Sequence, residues 1–425
     1  MSDDILQVLQ ERGLLYQASE TGLTEAARER QLLVYCGFDP TAPSLHVGHL
    51  MGVMLLANFQ RCGHRPIILV GGGTGLIGDP SFKASERPLI SLETAAANAE
   101  RIRKQLEGFL SFEGPNGAIV ANNADWLVPV KLIEFLRDTG KHFSINAMIA
   151  KESVRARLED REQGISFTEF TYMLLQAYDY LQLYDRHACT VQVGGSDQWG
   201  NIVAGVDLIR RARGAQAHAV TGPLLTTSSG QKMGKSEGNA LWLDPSMTPP
   251  YDMFQYWINV DDRDVERWLK VFTFLPLSEI AALAAEQAQD PGSRVMQRRL
   301  AREIVTFVHG ASTAAAVERA AAILFGGDPR NIDQQALGHV LSAMPHAGAG
   351  RDELTAGVPV LQAVVRAGLA ASNSAARTLV SQGGLYVNNQ RWDDPKGVLT
   401  TAQLLCGRAI VLRSGRKSYG ALVVE

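Results

Sequence analysis

Four groups of residues in this 425-residue chain have the types and spacing to do chemistry. His46 and His49 stand three apart with Gly48 between them, so on a helix the two imidazoles share one face of the first turn and the glycine permits close approach. Two imidazoles at a helix N-terminus form an anion site, suited above all to phosphate. The same spacing could hold a metal, but no nearby Cys, His or Asp completes a ligand set, and two surface histidines are the plainer alternative. Lys232 and Lys235 flank Gly234 in the Gly/Ser/Lys stretch Leu224–Gly238. Such a loop can close two point charges over a departing phosphate and then release it, or be a solvated basic loop. Tyr172, Gln176 and Asp179 fall at i, i+4 and i+7 among Met173, Leu174, Leu175 and Ala177, a polar stripe carried into apolar surroundings. Buried polar groups must be paired. Either these satisfy one another, or a ligand with an ammonium and a hydroxyl satisfies them. Finally, Asp197 and Gln198 sit in the turn Gly194-Gly-Ser-Asp-Gln-Trp-Gly-Asn201, placed to contact a ribose or an amino acid.

The elements that must position these groups can be read in turn. Leu32–Phe38 is an apolar run stopped by Asp39-Pro40, and helical spacing begins at Leu45, which predicts a buried strand, a tight loop and a helix capped by Ser44. Residues 3–17 read as a short amphipathic helix before that strand. Pro66–Val70 is a second strand and ends in Gly71-Gly-Gly-Thr-Gly-Leu-Ile-Gly-Asp79. The run contains a literal G-x-G-x-x-G, yet Asp79-Pro80 interrupts where a dinucleotide-binding helix should begin, and no Gly-Lys-Ser/Thr closes a P-loop. The expectation is a backbone that a ligand approaches closely, with Asp79 presented at its end and the positive Lys83 and Arg87 following.

Residues 92–110 and 128–138 read as helices around a third strand, Ala118–Ala121. Cys189 opens a fourth, and Leu224-Leu225 a further one. Alternating strands and helices predict a doubly wound parallel sheet with ligands at the carboxyl ends of its strands. Residues 141–170 read as an irregular, charged insertion. From Pro249 to about Phe325 the pattern is helical; 326–356 reads as a linker; and 357–425 carries two short helices and several strands.

Composition sets the class. Hydrophobic residues make up 46% and charged residues 20%, as in an ordinary soluble globular protein of two or three domains. No apolar run approaches the ~20 residues of a membrane span, and the first residues lack a basic flank with an apolar signal core. Four scattered cysteines without a C-x-x-C argue against disulfides and zinc, so a cytoplasmic setting is expected. Net charge is −3, but residues 357–425 hold eight Lys/Arg against three acids, a basic tail on an acidic body. That asymmetry marks the tail as a candidate nucleic-acid binder.

Taken together, the motifs resemble those of bacterial tyrosyl-tRNA synthetases, a family of class I aminoacyl-tRNA synthetases. Tyr35-Cys-Gly-Phe-Asp-Pro-Thr41 with His46-Val-Gly-His49 is similar to the family's H-I-G-H signature, with Val for Ile, and Lys232-Met-Gly-Lys-Ser236 to its K-M-S-K-S signature, with Gly for the middle Ser. The glycine loop, the Tyr172/Gln176/Asp179 helix and the Gly194–Asn201 turn follow in the family's order, and the tail resembles an S-four-type RNA-binding module. The resemblance spans essentially the whole chain. It implies a Rossmann-like catalytic domain over 1–247, with an interface insertion around 122–170 and a catalytic lysine loop at 226–240. A helical anticodon-side domain over 248–325, the linker and the S-four-like domain over 357–425 would follow. It further implies that Tyr35 and Asp179 bind the substrate's phenolic hydroxyl, that Asp79, Tyr172 and Gln176 hold its α-ammonium, and that Gln198 lines the same pocket. Cys36, Gly37, Gly195 and Asp197 would contact ATP, its ribose in particular, with Asp39 near both ammonium and nucleotide. His46, His49, Thr41, Lys83, Arg87, Lys232 and Lys235 would surround the triphosphate. Gly52 replaces a residue that is often a hydroxyl amino acid in the family, so a ribose contact from that position is lost.

The implied reaction joins L-tyrosine to ATP as tyrosyl-adenylate and transfers it to the terminal ribose of tRNA(Tyr), in a homodimer, with Mg2+ arriving on ATP instead of in a protein metal cage. The residue types agree, because a carboxylate needs no general base. What it needs is an in-line α-phosphate and donors for the developing charge. A small-metabolite nucleotidyltransferase would share the histidines but not the helical and basic tail. A tryptophanyl relative would lack the Asp179-type acceptor, and a non-catalytic RNA-binding paralogue would not keep both histidines and both lysines.

Overall fold

The computed structural model describes residues 4–424 except 20–21, 80–90, 152–153, 156–157, 159–163, 231–232, 234, 237–238, 325–326 and 416–417, and at 235, 236, 239 and 331 the backbone alone. The chain divides into two compact units, one comprising residues 1–244 and 261–296, the other 245–260 and 297–425.

In the first unit, β1 (Gln17–Ala18), β2 (Leu33–Phe38), β3 (Arg65–Val70), β4 (Ile119–Asn122), β5 (Val191–Gly195) and β6 (His218–Gly222) form one sheet in the order β1-β6-β5-β2-β3-β4. β2 through β6 are mutually parallel and only β1 is antiparallel, against β6. The chain therefore winds outward through β2, β3 and β4, returns across the sheet, and winds the other way through β5 and β6. The reversal falls between β2 and β5, where Val34 faces Val191 and Tyr35 faces Gln192. Connections leave these two strands in opposite directions, which opens a crevice at their carboxyl ends. The expected doubly wound sheet is present.

Local boundaries differ from the sequence expectation in instructive ways. The helix after β2 begins at Leu50, preceded by a 3-10 turn over Val47–His49 whose cap is His46. Ser44 is not the cap. Its hydroxyl donates to the Leu45 carbonyl and accepts from the Asp244 amide at 3.1 Å, so it ties two segments together. The opening helix is shorter than 3–17, running Ile5–Glu11 from an Asp4 cap. Helix 92–110 ends at Glu107, and the helix expected over 128–138 runs only Leu132–Asp138, preceded by a separate short helix Ala124–Leu127. The strand expected at Leu224-Leu225 lies earlier, at β6, where His218-Ala-Val-Thr-Gly222 is wholly buried and paired to β5. After it, β7 (Lys235–Ser236) and β8 (Asn239–Ala240) form a small hairpin.

The expected helical stretch after Pro249 is present but divided. Asp262–Phe272 and Leu277–Gln289 belong to the first unit, whereas Pro250–Ile258 and Ala311–Leu324 belong to the second. The second unit also contains β9 (His346–Ala349), β10 (Val358–Pro359), β11 (Leu385–Val387), β12 (Gln390–Arg391), β13 (Val398–Leu399), β14 (Ala409–Ser414) and β15 (Ser418–Val424). Five of these form a sheet in the order β12-β11-β14-β15-β9, with the helices Val360–Arg366 and Asn373–Ser381 closing its core around Ala363, Val380, Ile410 and Leu422. The stretch 326–356 is not a linker: it carries the helix Gln334–Ser342, then β9, then the helix Arg351–Ala356. Its strand, His-Ala-Gly-Ala, has no β-branched residue, so it is a strand through its parallel pairing with β15 and not through propensity. No helix among the described residues is long and apolar enough to cross a membrane.

Candidate active site

Tyr35 lies in the middle of β2 and is fully buried in the core, its ring edge-on to Tyr180 at 5.1 Å. Its hydroxyl has no hydrogen-bond partner among the described residues. Burial, then the nearby Asp179 carboxylate, pushes its phenol far above the ordinary value. Asp179 is 2% exposed, on the helix Phe167–His187. Trp126 Nε1 donates to its Oδ1 at 2.7 Å and Asn123 Nδ2 to its Oδ2 at 2.9 Å. Burial raises this carboxyl to about 8 against the pull of those two donors, and the charge of Asp39 raises it further.

Asp39 closes β2 at the other side of the same pocket. Tyr172 donates its hydroxyl to one Asp39 oxygen at 2.7 Å, and Thr74 donates to the other at 2.7 Å. The glycines beside it have a steric cause: a Cβ at Gly71 would lie 2.1 Å from Asp39 Oδ1, and one at Gly75 would lie 2.8 Å from the Pro40 ring. The Gly71–Gly75 run therefore packs tightly against the Asp39-Pro40 turn, in keeping with the expected close-approach backbone. Tyr172 is likewise pushed far up, by burial and then by Asp39 and Asp79.

A second polar chain enters from β5. Gln198 donates to Asp79 at 2.7 Å, and its carbonyl faces the Gln176 amide at 3.4 Å. Asn201 donates to the Gln176 carbonyl at 3.1 Å. Gly195 leaves space for Asp197, whose Oδ1 would lie 2.4 Å from a Cβ there. Across the crevice Cys36 is buried, its thiol pushed up to about 12 by burial and then by Asp197. The expected stripe thus does not satisfy itself. Tyr172 bonds Asp39, Gln176 bonds the β5 turn, and Asp179 bonds the loop after β4.

The two histidines are held by backbone. The Gly48 amide donates to His46 Nδ1 at 3.0 Å, and the His46 amide donates to His49 Nδ1 at 3.0 Å. With both Nδ1 atoms accepting, the proton of each neutral ring sits on Nε2. The rings stack with centroids 3.9 Å apart. The segment behind the lysine loop is bonded to this turn: Val47 donates to Leu241 and Leu243 to Leu45, at 2.9 and 2.8 Å. At the front of the loop, the Ser228 amide and hydroxyl donate to the buried Asp264. Lys235 starts the hairpin β7–β8. Thr41 is exposed in the β2 loop, its amide donating to the Asp39 carbonyl at 2.9 Å. Gly37 is also exposed, with open space around a Cβ. Lys83, Arg87 and Lys232 lie outside the described residues.

Sequence reasoning missed Thr74, Asn123, Trp126 and Asn201. The signal existed for two of them, because Asn122-Asn-Ala-Asp-Trp126 follows β4 at the carboxyl edge where ligand loops gather. Among the described residues no three His, Cys, Asp or Glu side chains cluster in a way that could hold a metal ion.

A parallel sheet with this switch point and a backbone-held histidine pair at its carboxyl edge agree with a class I tRNA synthetase, and the comparisons with known proteins give that class. Residues 27–326 match the family model described as tRNA synthetases class I (W and Y), and residues 340–422 match that of the tyrosine--tRNA ligase SYY-like C-terminal domain. The chain is 50% identical over 423 residues to the tyrosine--tRNA ligase of Anaeromyxobacter dehalogenans (strain 2CP-C), covering 99% of this chain and 100% of that one. It is 48% identical over 422 residues to the tyrosine--tRNA ligase of Geobacillus stearothermophilus, with 98% of each chain covered. Among solved structures it is similar to a C-terminally truncated Aspergillus nidulans mitochondrial tyrosyl-tRNA synthetase (35% identity, TM-score 0.68, 76% of this chain and 94% of that one). The chain belongs to the tyrosine--tRNA ligases, and its activity is theirs.

Proposed function

We propose that L-tyrosine lies in the crevice with its hydroxyl between Tyr35 and Asp179 and its ammonium among Asp79, Tyr172 and Gln176, with Gln198 and Asp39 lining the approach. The observation that carries this reading is the Tyr35 hydroxyl, completely buried, without a partner among the described residues, and beside the buried Asp179. A phenolic hydroxyl supplies the missing partner to Tyr35 and donates to Asp179. A phenyl ring leaves the Tyr35 hydroxyl unpaired and brings no donor to Asp179 beyond Trp126 and Asn123, and an unpaired buried group costs about 1–3 kcal/mol. Asp39 and Asp79 give the amine end of the pocket an acidic character that an ammonium offsets.

ATP lies across the carboxyl ends of β2 and β5, its ribose at Cys36, Gly37, Gly195 and Asp197, and its phosphates at Thr41, His46, His49, Lys83, Arg87, Lys232 and Lys235. The tyrosine carboxylate attacks the α-phosphorus, the bond to pyrophosphate breaks, and tyrosyl-adenylate forms. The imidazole Nε2–H groups and the lysines stabilise charge on the leaving phosphates. Mg2+ travels with ATP and neutralises part of that charge. A terminal ribose hydroxyl of tRNA(Tyr) then attacks the carbonyl and AMP leaves, with the basic module beyond residue 357 gripping the RNA. A homodimer is supported by the solvent-exposed Val128, Leu132, Ile133, Ile145 and Phe167, which fall within the insertion around 122–170 and need a cover in solution. The enzyme works in the bacterial cytoplasm.

The decisive experiment is ATP–pyrophosphate exchange with tyrosine, phenylalanine and tryptophan. Tyrosine supports exchange and the others nearly none; comparable exchange with phenylalanine would overturn the pocket assignment. Removal of 357–425 spares exchange and cripples charging of tRNA, and unchanged charging would remove the tail's role. Ile133→Asp yields a monomer in light scattering if the insertion forms the interface; an unchanged dimer moves the interface elsewhere.

A further inference from the structure

The ammonium and hydroxyl ends of the pocket are joined by side chains that neither substrate group touches in the reading above. Thr74, 2% exposed, stands at the start of the 3-10 turn after the Gly71-Gly-Gly run. Its Oγ1 donates to Asp39 Oδ1 at 2.7 Å and accepts from Asn123 Nδ2 at 2.8 Å. Asn123, 1% exposed, gives its other amide hydrogen to Asp179 Oδ2 at 2.9 Å. The orientation of that amide is fixed, because its carbonyl oxygen accepts the Gly73 backbone N–H at 2.7 Å. Proton counting then settles every direction in the chain. The Asn123 nitrogen can only donate, so the single proton of Thr74 must go to Asp39. Both carboxylates accept from one Asn–Thr unit, and nothing in it can rotate without leaving a buried polar atom unpaired.

We propose that Thr74 is a positioning residue that couples recognition of the tyrosine ammonium, held in part by Tyr172 whose hydroxyl Asp39 accepts, to recognition of the substrate hydroxyl, at Asp179. The proposal rests on the assignment of those two ends given above. Asp39 is shared between Tyr172, whose hydroxyl it accepts at 2.7 Å, and Thr74. An ammonium that settles Asp39 therefore settles Thr74, which orients Asn123, which holds one oxygen of Asp179 while Trp126 holds the other at 2.7 Å. Substrate selection at the ring end thus depends on a hydroxyl near the amine end.

The test is the ratio of kcat/KM for tyrosine over phenylalanine in pyrophosphate exchange, in the full-length enzyme. Thr74→Val keeps the shape and removes both hydrogen bonds. It should lower kcat/KM for tyrosine about 10–100-fold, chiefly through KM, the cost of leaving one buried donor unpaired. Phenylalanine should lose at least about fivefold less, because it never used the hydroxyl end. Thr74→Ser, which keeps the hydroxyl, should restore the ratio to within about threefold of wild type. Equal losses for the two amino acids, or no rescue by serine, would overturn the coupling, since a purely structural or amine-end role moves both substrates together. Asp179→Asn separates the two layers of inference. If it leaves the ratio intact, the pocket assignment fails; if it collapses the ratio while Thr74→Val does not, only the relay fails. Should Thr74→Val not melt as a folded protein, Thr74→Ala is judged by the same ratio.

Discussion

The two ends of the active site, as the proposed function assigns them, are built on different principles. At the amino-acid end, five side chains from four segments (Asp39, Thr74, Asn123, Trp126 and Asp179) form a fixed hydrogen-bonded set with the last four nearly or wholly buried. At the phosphate end, the order resides in backbone. Main-chain amides pin both imidazoles, and strand-like main-chain bonds join residues 45–47 to 241–243. The contrast follows from what each end must recognise. A neutral hydroxyl is distinguished from a hydrogen only by groups that cannot be satisfied any other way, which demands burial and rigidity. A polyphosphate offers strong charge to any suitably placed cation, so long side chains presented from a secured backbone suffice, and they must also release the product.

That contrast can be broken experimentally, beginning with the largest effect. Lys235→Ala should slow adenylate formation by about 100–1,000-fold, roughly 3–4 kcal/mol of transition-state stabilisation, while tyrosine affinity in equilibrium dialysis changes by less than about twofold. Equal damage to both would erase the distinction between the ends. Asp179→Asn should show the opposite pattern: tyrosine kcat/KM falls about 10–100-fold and phenylalanine is almost unaffected. A parallel fall for phenylalanine would mean that Asp179 supports the fold and not the choice of substrate.

A pH titration sharpens the comparison. Asp179 is lifted by burial from an ordinary 3.8 to about 8, so between those values the empty folded protein holds a proton there that the unfolded chain does not. Its contribution to stability therefore falls as pH rises through that window. Tyrosine needs the carboxylate, so its dissociation constant should drop by up to about tenfold per pH unit between pH 6 and 8 and level off above. A flat profile in fluorescence titration would show that the site is ionised before substrate arrives. The smallest effect belongs to Ser44→Ala, which removes the acceptor for the Asp244 amide. It should cost about 1 kcal/mol in chemical denaturation and leave the tyrosine-to-phenylalanine ratio untouched. A changed ratio would tie the phosphate-end scaffold to amino-acid choice.

Much of this was legible in the sequence, for physical reasons that can be stated. Apolar runs closed by Asp39-Pro40 and by the Gly71–Gly75 series mark β2 and β3, because a buried parallel strand must be continuously apolar and must end where the backbone turns. The histidine pair and the polar stripe on helix Phe167–His187 could be recognised because their own members lie within one helical turn or on one helix face, although the stripe's partners do not. Elements defined by distant partners were misplaced. Ser44 reads as a cap yet spends its hydroxyl on residues 45 and 244, β9 has no strand-like residues, and β6 is hidden next to a more suggestive Leu-Leu pair.

By itself, the sequence determined the alternation of strands and helices that makes a doubly wound sheet, and which polar residues had to face a ligand or a partner. Those properties follow from local spacing and from the cost of burying unpaired groups. The tertiary structure alone decided which partner each polar residue took. Asp179 is held by Asn123 and Trp126, more than fifty residues away, and Thr74 joins it to Asp39. Hydrogen bonds act over 3 Å of space whatever the separation along the chain. The network proposed to set the choice of substrate therefore becomes visible only once the sheet has brought the ends of its strands together.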